Sequence, residues 1–375
     1  MSIVHLLALH DLSEIGSVRL KALLDYFGDA EAAWNNFAEW PQALQHPRPN
    51  YELLREEMRH KDLAALEERF LCSGARVVTM AEPHYPQLLA SIVDAPYLLF
   101  YRGTLPTDDD LCIAIIGSRK ATAYGREAAA FLARGLAKAG VTVVGGLARG
   151  IDTCGHRGAL DAGGRTIGVL GCGIDVVYPR ENKQLFEEVA ANGCILSEYP
   201  LGMQPLAKNF PIRNRIVSGL SQGVIVVEAE LRSGTQITVD HALEQGRNIY
   251  AVPGSIFSPA SAGVHRMIRD YGFKPVTSAG DVLEDYPQGV AYGRVEGLAT
   301  QSVQQSLFPP EPLTVPVLTP DERRLWDLLV TQRHFNELAE DMAMDASSLA
   351  ALLTISELRG FIKRLDGQYY VRNNL

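Results

Sequence analysis

"CIAIIGSRKATAYGREAAAFLARGLAKAGVTVVGGLARGID", residues 112–152, decides the fold. Residues 112–117 and 141–146 are strand-length runs rich in β-branched residues that end on glycine, and the stretch between them is helical in pattern. A strand, a helix and a second strand in that order form a parallel pair. The alternation continues through "TIGVLG" (166–171), "CILSEY" (194–199), "GVIVVEA" (223–229) and "NIYAVPG" (248–254), with "TVDHALEQG" as another helical segment. Six buried parallel strands separated by helices predict an α/β, extended Rossmann-like, doubly wound sheet over residues 76–286.

The flanks differ in character. Residues 1–75 show amphipathic helical spacing, as in "IGSVRLKALLDYFGDAEAAW", and form a helical N-terminal domain. Residues 287–317 are rich in Gly, Pro, Gln and Ser and read as a linker. In residues 318–375, Thr319, Pro320 and Glu322 form an N-cap, a first-turn proline and a capping-box acid. Two further helices and a hairpin turning at Asp366 and Gly367 complete a winged helix.

Composition bounds the function. The 375 residues are 47% hydrophobic and 21% charged, as expected of globular protein in more than one domain. Five widely spaced cysteines, an odd number, suit a reducing compartment, and no stretch has the length of a membrane span. A cytoplasmic protein is expected. The net charge of −9 conceals an uneven distribution: residues 111–275 hold 18 Lys and Arg against 13 Asp and Glu. A locally basic segment in an acidic chain points to a polyanionic partner.

Four strand ends carry the chemistry. Gly117, Ser118 and Arg119 follow the first strand, where free backbone N–H groups and a guanidinium suit a phosphate. The dinucleotide fingerprint is missing, so no NAD or other cofactor is expected. Gly146 allows close backbone approach after the second strand, with Arg149 nearby; Asp152 and His156 lack a third metal ligand and read as structural. In "KNFPIRNRIVSGLS", Pro211 marks a first helical turn, which sets Lys208, Arg213, Asn214 and Arg215 near a positive helix terminus. Phe210 either offers a ring to a base or is a hydrophobic staple under the helix. Asp152 and Glu228 are the carboxylates most able to pair with the arginines, and one of these, Arg215 before Arg213, is expected to be so engaged. Ser233, Gly234, Thr235 and Thr238 set amides and hydroxyls at another helix start.

These motifs, with "SEYPLG" at 197–202, "YP" at 178–179 and "GRNIYAVPG" at 246–254, resemble the bacterial DNA-processing protein A (DprA/Smf) family over roughly residues 80–285. Ser218 and Arg247 join the candidate set through the matched motifs. The N-terminal helices are similar to the sterile-alpha-motif (SAM)-like domain of many members. The resemblance implies a cytosolic protein that binds and protects single-stranded DNA and loads the RecA recombinase during natural transformation. It also implies a homodimer formed through the Rossmann-like domain, with no catalytic residue and no metal.

Two other classes are weighed against it. "SGTQIT" is similar in form to the phosphate loop of lysine-decarboxylase-like nucleotide phosphoribohydrolases, but Thr238 stands where that motif has its glutamate. A groove-reading regulator fits poorly, because residues 318–375 hold 7 Lys and Arg against 9 Asp and Glu.

Overall fold

The computed structural model describes residues 2–44, 48–286, 319–329, 332–358, 362–365 and 369–372. The chain divides into two compact units, residues 1–299 and 300–375. The linker expected over 287–317 and the turn at Asp366 and Gly367 lie outside the described residues.

In the first unit the strands are β1 (Arg76–Thr79), β2 (Leu98–Gly103), β3 (Cys112–Ile116), β4 (Thr142–Gly145) and β5 (Thr166–Val169), then β6 (Cys194–Ser197), β7 (Gly223–Val226), β8 (Asn248–Ala251) and β9 (Lys274–Pro275). They form one sheet in the order β1-β2-β6-β5-β4-β3-β7-β8-β9. From β6 to β9 every pairing is parallel, whereas β1 and β2 add an antiparallel edge. All six strands read from the sequence are present; β1, β2 and β9 are additions to that reading.

Period-two alternation sends successive residues of each strand to opposite faces. In β3, Ala114 and Ile116 pack with Ile216, Val217 and Val239 from the Asn209–Gly219 and Thr235–Glu244 helices. Ile113 and Ile115 pack with Leu132, Ala133 and Ile151 from the Ala123–Lys138 and Ile151–Asp161 helices on the other face. Both faces are covered, which is why the strands are apolar throughout. The N-terminal helices share a third apolar cluster with the sheet, in which Leu20, Leu23 and Trp40 join Phe100 of β2 and Ile195 of β6.

Chain order places the ligand crevice. From β3 the chain steps outward through β4, β5 and β6, then returns to β7 on the other side of β3. That reversal leaves a gap above the carboxyl ends of β3 and β7, where open α/β sheets hold their ligands.

Among its described residues the second unit holds three helices, Pro320–Leu328, Phe335–Met342 and Ala346–Leu358, around Leu325, Leu338, Leu349 and Leu353. The Thr319 hydroxyl accepts from Glu322 N, and the Glu322 carboxylate accepts from Thr319 N, the capping box read from the sequence. Strands β10 (Arg333–His334), β11 (Ile362–Leu365) and β12 (Tyr369–Arg372) pair in the order β10-β12-β11 as the wing.

Candidate nucleic-acid interface

The loops after β3, β4 and β7, with the starts of the Asn209–Gly219 and Thr235–Glu244 helices, enclose a cleft of about 660 Å³. Gly117, Ser118, Arg119, Gly146, Phe210, Arg213, Asn214, Ser233, Gly234, Thr235 and Thr238 all line it. Arg149 lines a small adjoining pocket with Arg119, Tyr178 and Phe210, and it is paired with Glu181. Lys208 is exposed directly before the Asn209–Gly219 helix.

Three candidates face away from the cleft. Arg215 is buried against Glu198 and Asp94. The Ser218 hydroxyl donates to the carbonyl of Arg215, inside its own helix. Arg247 donates to the carbonyls of Leu88 and Gly219, at the carboxyl end of that helix. The expected partners of Arg215, Asp152 and Glu228, are corrected here to Glu198 and Asp94, because Asp152 and Glu228 are occupied by the loops of the cleft.

Glu228 builds the first loop. Its carboxylate accepts from the Thr122 N–H at 3.0 Å and from the Thr122 hydroxyl, and its carbonyl accepts from Ser118 N at 2.9 Å. A Cβ at Gly125 would lie 2.3 Å from that carboxylate, so only glycine allows the approach. Asp152 builds the second loop, accepting from Gly146 N at 2.9 Å and Ala148 N at 3.4 Å. Burial raises the Asp152 pKa, against the opposing pull of the Arg213 charge.

His156 serves the core beneath. The Thr166 hydroxyl donates to Val143 O at 2.7 Å, so at 2.6 Å it accepts from His156 Nδ1–H, which assigns the neutral Nδ1 tautomer. Burial pushes the imidazole down to about 3.

Arg213 is the central cation. It is 3% exposed, and Nη1 donates to Gly146 O at 2.8 Å and to Val169 O. Burial lowers its pKa, and the Asp152 field opposes that shift. A Cβ at Gly146 would come within 2.5 Å of Nη2, so glycine there makes room for the guanidinium. Arg119 and Arg213 share one ring, with their Cζ atoms 5.1 and 5.9 Å from the Phe210 centroid. Tyr178 stands 5.5 Å from the same ring, and Gly171 supports it from below. Phe210 is therefore half-buried in the cleft wall, anchored underneath and open to the cleft. Two mutually repelling guanidiniums beside an aromatic face form a receptor for an anion joined to a planar group.

The cleft includes residues that motif reading passed over. Lys120 and Arg232 lie directly beside the "GSR" and "SGT" motifs, so adjacency alone marked them. Tyr178 arrives from the loop after β5, within the matched "YP". Arg119, Lys120, Lys208 and Arg232 have no ion-pair partner among the described residues.

The family model for DNA recombination-mediator protein A matches residues 76–287, and that for the DprA winged helix domain matches residues 309–368. DNA processing protein DprA of Streptococcus pneumoniae is 46% identical over 202 residues, spanning 54% of this chain and 71% of that protein. Protein Smf of Escherichia coli is 37% identical over 290 residues, spanning 77% and 75%. The X-ray structure of the Streptococcus pneumoniae DprA superposes with a TM-score of 0.67 at 36% identity, covering 76% of this chain and 98% of that one. DNA processing protein A of Helicobacter pylori, whose structure was described for its single-stranded DNA binding mode, gives 0.51 at 29% identity, covering 58% and 99%.

Proposed function

The chain belongs to the DprA/Smf family, and from that premise we propose that it binds single-stranded DNA in the cleft above β3, β4 and β7. The observation that carries this reading is the gathering of the Arg119 and Arg213 guanidiniums at the Phe210 ring, 5.1 and 5.9 Å from its centroid. Phosphates sit on the guanidiniums and the start of the Thr235–Glu244 helix, while a base stacks on Phe210. A ring accepts any base face, so binding is tolerant of sequence. Asn214 supplies an amide for a base edge or sugar.

The protein's role is to hold and protect single strands and to pass them to the RecA recombinase during natural transformation. It acts as a homodimer through the sheet domain, in the cytoplasm. Family membership supports these steps. No bond is broken in this reading, which favours binding over hydrolysis: the position of the phosphoribohydrolase glutamate holds Thr238, whose hydroxyl is a poor general acid or base.

Gel shifts with single-stranded and duplex DNA across a salt series test the proposal. Preference for the single strand, with affinity falling as salt rises, is the expected result. Equal affinity for both forms overturns it, as does catalytic release of free base from nucleoside monophosphates.

A further inference from the structure

The most exposed aromatic ring among the described residues of the first unit is Phe257, at 90%, and its neighbour Ile256 is 79% exposed. They form a turn after β8, on the carboxyl edge of the sheet that also carries the cleft. Bare apolar side chains of this size at a loop tip mark a contact surface.

Hydrogen bonds tie the turn to the cleft from two directions. The Tyr124 hydroxyl donates to Pro253 O, and Tyr124, itself half exposed, follows four residues after the cleft residue Lys120. On the other side, Ala229 N donates to Ala260 O at 2.8 Å and Gly263 N to Ala229 O at 2.8 Å. Those bonds fasten the residues after the turn to the loop carrying the cleft residues Glu230 and Arg232. The turn is thus tied at both ends to segments that line the cleft, which carry Glu230 and two cations, Lys120 and Arg232, with no ion-pair partner among the described residues.

We propose that Phe257, with Ile256 beside it, is a second stacking platform, which receives a base of the same single strand after it leaves the cleft across Lys120 and Tyr124. The inference rests on the cleft reading given above. Continuity with the cleft and the cationic rim select a nucleic acid strand as the occupant, because a base is the apolar part of a ligand whose other part needs those cations.

The test compares oligothymidylates of about 5 and about 20 nucleotides, the first confined to the cleft and the second long enough to pass the rim. The full chain is used as wild type, F257A, F257W and R119A. F257A is expected to leave the short strand's affinity unchanged and to weaken the long strand by roughly fivefold or more, with the same salt dependence, since no phosphate contact is lost. F257W restores affinity, and its indole emission is quenched by the long strand only.

Equal weakening at both lengths overturns the proposal by making Phe257 part of the cleft. So does a change in sedimentation mass with unaltered DNA affinity, which makes the turn a protein contact. If R119A binds the short strand normally, the cleft reading fails and takes this one with it. If R119A fails on the short strand while F257A binds the long one normally, only the platform is lost.

Discussion

Arg215 and Glu198 form a bidentate, nearly buried ion pair, with Nη1 2.7 Å from Oε1 and Nη2 2.6 Å from Oε2. Asp94 closes on the Nε side of the guanidinium at 2.8 Å. Arg215 therefore holds the helix that presents Phe210 and Arg213. R215A strands the nearly buried Glu198 carboxylate and is expected to cost about 3 kcal/mol in urea unfolding. The salt slope of DNA binding should be unchanged in the folded fraction. A slope reduced as far as that of R119A would place Arg215 on a phosphate.

Arg119 and Arg213 should behave differently from each other in stability and alike in binding. Each replacement by alanine is expected to reduce the single-strand salt slope by about 0.7, at every sequence tested. R119A leaves the melting temperature unchanged or slightly raised, because an exposed guanidinium beside a second one is removed. R213A lowers it, because Gly146 O and Val169 O lose their donor and Asp152 loses its nearby positive charge. Calorimetry beside filter binding separates the two effects.

Arg149 is held by Glu181 at the side of the cleft, in an exposed pair. A phosphate must compete with that carboxylate. E181Q is expected to strengthen single-strand binding and to steepen the salt slope, with no change in melting temperature, because exposed pairs contribute little to folding. Unaltered affinity in E181Q would remove Arg149 from the DNA path.

Buried His156 and partly buried His10 both make the fold sensitive to acid. Burial lowers His156 to about 3 and His10 to about 4. Both folded values lie below the unfolded value of about 6.5, so their contribution is complete above that pH. As pH falls, the unfolded chain takes up protons that the folded chain refuses. Stability is lost from about 6.5 down to about 4 for His10 and about 3 for His156, by up to about 1.4 kcal/mol per pH unit each. H156Q, which keeps a donor for Thr166, should reduce the pH dependence of the urea midpoint between pH 6.5 and 4 by one proton. An unchanged dependence would mean that His156 is protonated in the folded state.

The sheet was legible where burial on both faces forces continuous β-branched runs, as in "CIAIIG" and "GVIVVEA". β2 escaped notice because "LLFYRG" contains no β-branched residue and suits a helix as well, and β9 is only two residues long. β1 is defined by its antiparallel partner β2, from the Thr79–Leu98 pair to the Arg76–Tyr101 pair, a pairing across an intervening helix that no local period encodes.

Within the cleft, the glycines and the first-turn residues were readable, because free amides and close backbone approach demand particular residue types at particular places. The sequence alone thus located the strand ends that line the cleft, and set Arg213 and Arg215 two residues apart on one helix, a spacing that is about 200° around its axis. Tertiary structure alone decided which of the two faces the cleft. Glu198 and Asp94, brought in from loops 17 and 121 positions earlier, draw Arg215 to their side. Coulombic pairing acts through space at a few ångströms, and the chain distance between partners leaves no trace in local residue pattern.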